Sequence, residues 1–101
     1  MSQAKQARNP LNSAPMRIFM QTQPAPNESP RYYHLILQQD LLGGWTLYRE
    51  WGNQGARSSM KREVYLDRDS AVSAFEKARD SQVKRGFRVV FSQGMENSHA
   101  H

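Results

Sequence analysis

The chain has 101 residues, with 14 Lys+Arg against 9 Asp+Glu, a formal net charge of +5 and no cysteine. That length allows one domain, and the lack of cysteine excludes a disulfide framework, thiolate metal sites, iron–sulfur clusters and a cysteine nucleophile. Hydrophobic residues make up 38% and mean hydropathy is -0.83, so part of the chain is expected to lie outside a small core. No apolar run exceeds three residues, too short to span a membrane. Lys5 and Arg8 are not followed by the apolar stretch of a secretory signal, which points to a cytoplasmic location. The pI near 10.0 suits an anionic partner.

Residues 1–30 hold all five prolines, and Ser, Gln, Asn and Ala fill most of the rest. Such a composition buries little and predicts a flexible N-terminal arm. Within it, Met16-Arg17-Ile18-Phe19-Met20 has the makings of a short strand or a docking segment. The predicted folded unit is 31–91, with 11 basic and 7 acidic residues, a net charge of +4. Residues 92–101 lack periodicity and are expected to form a disordered tail.

Tyr32–Gln38 predicts a strand, with Tyr33, Leu35 and Leu37 on one face and Tyr32, His34 and Ile36 on the other. Asp40–Gly44 predicts a five-residue turn. Trp45–Trp51 alternates again, with Trp45, Leu47, Arg49 and Trp51 together, so the two strands form an antiparallel hairpin. Gly52–Gly55 predicts a second turn, and a third strand is expected within 58–66. Asp67 suits a helix N-cap, with Asp69 in the first turn. The helix predicted to about Arg85 carries a narrow stripe of Ala71, Val72, Phe75, Ala78 and Arg79. Gly86 suits the position after its end, and Phe87, Val89 and Phe91 alternate in a last strand. The expected fold is α+β: a small antiparallel sheet with one helix packed on one face.

The run Leu41-Leu42-Gly43-Gly44-Trp45-Thr46-Leu47-Tyr48-Arg49-Glu50-Trp51-Gly52 resembles the centre of the WGR domain. The resemblance continues through Gln54-Gly55, the strand ending at Leu66, Ala71–Lys77 and Lys84-Arg85-Gly86-Phe87-Arg88, so it covers about 31–91. The sequence resembles the short stand-alone bacterial members more than the domains embedded in poly(ADP-ribose) polymerases. The triplet that names the family stands here as Trp51-Gly52-Asn53, with asparagine in place of arginine. The resemblance implies a module that contacts nucleic acid, DNA in preference to RNA, near a strand end. The tryptophan role falls on Trp51. The arginine role falls on Asn53, which cannot supply a charged fork.

Trp51, at a strand end before a turn, could stack on a sugar or base, or could plug the end of a small core. Trp45 suits core or rim. Arg49, Arg57, Lys61 and Arg62 group around the second turn, where they could neutralise phosphates or form an ordinary solvated edge, and Glu50 and Glu63 on the same strands could neutralise part of the patch. Lys84, Arg85 and Arg88 cluster at the helix end, which suits a helix C-terminus, and could extend a phosphate track; Arg31 is a weaker candidate. His34, His99 and His101 have no metal-site spacing, and no nucleophile elbow or phosphate loop occurs. The expectation is therefore a non-enzymatic nucleic-acid-binding module with no cofactor, metal or membrane partner. It would be a monomer or a weak dimer paired through a strand edge. The alternative is an interaction or regulatory adaptor that docks a partner protein on the Tyr32/His34/Ile36 face or through the N-terminal arm.

Overall fold

A computed structural model describes residues 15–23 and 25–94. The arm residues 1–14, Pro24, and the tail residues 95–101 with His99 and His101 lie outside the described residues. The elements in chain order are β1 (Met16–Gln21), β2 (Arg31–Gln39), β3 (Trp45–Asn53), β4 (Ser58–Tyr65), α1 (Arg68–Lys84) and β5 (Arg88–Gln93). They form a five-stranded sheet in the order β4-β3-β2-β1-β5, with each recorded pairing antiparallel and α1 packed on one face. This is the α+β arrangement expected from the sequence.

The sheet extends N-terminally of the 31–91 unit, because MRIFMQ alternates as a strand does. Met16, Ile18 and Met20 are buried and the residues between them are partly exposed. Met16 lies opposite Leu37, Ile18 opposite Leu35 and Met20 opposite Tyr33. That register puts both apolar rows on the helix side. The core joins these residues to Trp45, Leu47, Ala71, Phe75, Ala78 and Phe87. Complete burial of Leu35, Leu37, Leu47 and Phe75 contributes about 1.5–3 kcal/mol for each side chain.

Two turns set the hairpin geometry. The Asp40 carboxylate accepts from Leu42 N and Gly44 N at 2.8 and 2.9 Å, closing the five-residue loop. β3 runs through Asn53, so the second turn sits later than Gly52–Gly55 suggests, with Ala56 N donating to Asn53 O at 3.1 Å. Gly52 remains in the strand for a steric reason. A Cβ there would lie 3.0 Å from Arg57 O and 3.2 Å from Ser58 Cα.

Helix α1 begins where expected. Asp67 accepts from Ser70 N at 2.9 Å and from Ser70 Oγ at 3.0 Å. It ends at Lys84, with Gly86 at φ +104, a conformation glycine adopts without steric cost. The buried face is Ala71, Phe75, Ala78 and Gln82. Val72 only flanks the core, and Arg79 pairs instead with Asp80 at 2.9 Å. β5 departs from simple alternation. Its register shifts between Phe19 and Met20, so Phe91 lies opposite Phe19 and Val89 opposite Met20. Phe87 is buried, whereas Val89 and Phe91 are exposed. Val89 stays on the side of Met20, and the extra residue of the bulge, Val90, turns the side chains after it, Phe91 among them, to the opposite face.

Candidate nucleic-acid interface

With the five-residue loop closed at Gln39 and Trp45, each step back along β2 matches one step forward along β3. Tyr33 therefore meets Trp51, and Arg31 meets Asn53. Main-chain bonds fix that end of the sheet. Gln54 N donates to Pro30 O at 3.0 Å and Thr22 N to Arg31 O at 2.9 Å, while Arg31 N donates to Thr22 Oγ1 at 2.9 Å. The helix C-terminus arrives at the same place. Phe87 N and Arg85 N both donate to Gln82 O at 3.0 Å.

These elements enclose an open cleft of about 460 Å³. Arg31, Tyr32 and Tyr33 line it from β2, and Trp51, Gly52 and Asn53 from β3. Ala56 and Arg57 come from the following turn, and Gln82, Arg85 and Phe87 from the helix end and the turn beyond it. Trp51 is half-buried and stacked on Tyr33, with ring centroids 5.6 Å apart and planes within 11°. Phe87 meets Tyr33 edge-on at 6.0 Å, and the Arg31 guanidinium lies 5.6 Å from the Phe87 ring centre. Trp51 thus packs against the core and lines the cleft at once. Trp45, 7% exposed, belongs to the core.

The structure divides the basic residues singled out in the sequence. Arg57 and Arg85 stand at the cleft with Trp51 and Asn53, and Arg31 joins them. Among the described residues, none of these three arginines is in an ion pair. Arg49 and Lys61, opposite each other on the helix-side face, both turn to Glu63, at 2.9 and 3.6 Å. Burial pulls the Arg49 pKa down, but hydrogen bonding to Tyr33 and to Glu63 outweighs it and raises the net value. Arg49 is therefore a structural cation tied to Glu63 and Tyr33. Arg62 lies opposite Tyr48 on the face away from the helix. Lys84 is exposed on the last helical turn and does not line the cleft.

Arg31, Gln82 and Phe87 are cleft residues that sequence reasoning passed over or undervalued. The signal for Arg31 was present, since counting back from the turn places it opposite Asn53. Gln82 had none, because burying a polar residue at the end of a helix depends on what packs there. Among the described residues, no group of three His, Asp or Glu is placed to hold a metal ion, and no helix is long and apolar enough to cross a membrane.

A small antiparallel sheet with one helix on one face thus carries Trp51, near the end of β3, beside a cleft lined by three arginines. The profile of the WGR domain matches residues 16–93, and the chain belongs to the WGR domain family. Domains of this family are in general nucleic-acid-binding rather than catalytic modules in proteins of the poly(ADP-ribose) polymerase type. The chain is also 28% identical over 76 residues to "Uncharacterized protein y4dW" of Sinorhizobium fredii (strain NBRC 101917 / NGR234). That match takes in 75% of this chain and 37% of the relative, so the chain spans well under half of the relative's length. No solved structure gives a significant match.

Proposed function

We propose that this protein is a non-enzymatic binder of the nucleic-acid backbone that seats a DNA strand end in the Trp51 cleft. The observation that carries this reading is the gathering of Arg31, Arg57 and Arg85 around the Trp51–Tyr33 stack with no carboxylate pairing them among the described residues. Free guanidiniums offer forked donors to phosphate. A half-exposed indole offers a π-surface to the terminal sugar or base. Asn53 stands where the family triplet has arginine. It supplies amide hydrogen bonds to that end of the cleft without adding charge. Contacts of this kind position a duplex and carry little sequence information, so preference among sequences is weak.

The test is a fluorescence titration with blunt and nicked duplexes at two salt concentrations. Three neutralised phosphates predict a slope of log K against log salt of about -2.7. Arg57→Glu and Arg85→Glu each weaken binding and flatten that slope. Lys61→Glu, at a cation already tied to Glu63, changes both far less. Binding weaker than about 100 μM at low salt, where even non-specific contacts reach that range, would refute the reading.

A further inference from the structure

The sheet face away from α1 is not covered by any described element, and it is not an ordinary polar face. Strand register places five rings on it: Phe19, Tyr32, His34, Tyr48 and Phe91. Phe91 is 50% exposed. Phe19 and Tyr32 lie offset-parallel at 5.9 Å with planes 20° apart, an offset that leaves part of each π-face uncovered. Phe91 is the cross-strand partner of Phe19. The same face carries Arg17, Arg62 and Arg88 against one carboxylate, Glu50. The Nε of Arg17 is buried with no hydrogen-bond partner among the described residues. It lines a shallow recess of about 210 Å³ with His34, Tyr48, Glu50 and Met60.

We infer that this open face is a binding platform for single-stranded nucleic acid. Unstacked bases lie on the Phe19, Tyr32 and Phe91 rings and in the Tyr48 recess, while Arg17, Arg62 and Arg88 meet the phosphates. Three cations to one anion favour a polyanion over a neutral or basic partner. Rows of rings on an open sheet are suited to splayed bases, because neighbouring strands hold the rings at regular spacing without covering them. Tyr32 also lines the Trp51 cleft, so the two surfaces adjoin and a strand held in the cleft can run onto the face. The platform extends the proposed function but does not depend on it, since its rings and arginines, Tyr32 apart, lie outside the cleft.

The experiment is fluorescence anisotropy of the full chain with labelled single-stranded oligothymidylate of about 12 nucleotides, alongside a blunt duplex. Stacking at Phe91 predicts that Phe91→Ser weakens single-strand binding by about 5- to 150-fold. Phe91→Tyr keeps it and Phe91→Leu loses it, while the duplex affinity stays unchanged. Arg62→Glu weakens the single strand too, and the wild-type single-strand salt slope is about -2. Circular dichroism melts confirm that the variants fold. The inference fails if Arg57→Glu abolishes single-strand binding and the Phe91 and Arg62 variants do not touch it. It fails equally if Phe91→Leu binds the single strand as wild type, which shows that no base stacks on the Phe91 ring, or if Phe91→Ser leaves single-strand binding unchanged and alters only the mass in light scattering, which marks a second copy. Duplex binding without single-strand binding overturns the platform and leaves the cleft reading intact; the reverse result overturns the cleft alone.

Discussion

At the residue scale, the same side-chain type does different work according to what the register sets beside it. Arg49 and Arg57 are both near Trp51 in sequence, yet Arg49 is held by Glu63 at 2.9 Å and Arg57 opens into the cleft. His34 shows the effect on titration. Burial lowers its pKa from 6.5, and the nearby Arg17 lowers it further, with Glu50 opposing. The folded protein therefore holds His34 neutral more readily than the unfolded chain does. The associated stability is fully present above about 6.5, the unfolded value. It is lost as pH falls from there through the lowered folded value, because the unfolded state binds the proton first. Urea midpoints taken between pH 7 and pH 5 are expected to fall for the wild type and to fall less for His34→Gln. Equal losses in the two proteins would show that His34 is not the group responsible.

At the element scale, local chemistry and long-range pairing separate what the sequence reveals from what it hides. The Asp40 loop and the Asp67 cap are made by residues within four positions of each other, and both were legible in the sequence. The hydrogen bond from the Ser70 main chain, then that from its hydroxyl, hold the Asp67 pKa below 3.8. A depressed carboxylate contributes stability above its unfolded pKa and loses it as pH falls through the folded value. Asp67→Ala is thus expected to lower the melting temperature at pH 7, and the gap from wild type should narrow as the pH is taken down past 3.8 and through the lowered folded value. A gap that persists undiminished there would assign the loss to something other than the charged cap. By contrast, the place of β1 between β2 and β5 rests on which strand finds which partner, and nothing in MRIFMQ names β5. The bulge that turns Phe91 away from the core was hidden for the same reason, since it belongs to a pairing rather than to a sequence pattern. In the candidate cleft, the neighbourhood of Trp51 and Arg57 was legible from their turn and Glu63 could be named as a neutralising residue, but which cations it captures required the β3–β4 register.

At the scale of the whole molecule, a net charge of +5 becomes informative only once it is distributed. Part of it is cancelled around Glu63, part faces the Trp51 cleft, and part lies on the open face. The two sheet edges differ in the same way. β4 sets Lys61, Arg62 and Glu63 in a row between the exposed Met60 and Val64, at 65% and 62%, whereas β5 exposes three successive apolar residues, Val89, Val90 and Phe91, at 48%, 58% and 50%. Charged edges resist pairing with another chain, and apolar ones invite it. The register shift beside β5 lessens that invitation without removing it. Self-association at high concentration is therefore expected to run through β5. Sedimentation velocity over a concentration series should show Val90→Lys suppressing it and Met60→Lys, on the β4 edge, leaving it as in the wild type. If Met60→Lys were the variant that suppressed it, the contact would lie at β4 or on the open face, and the apolar β5 edge would be protected by its bulge alone.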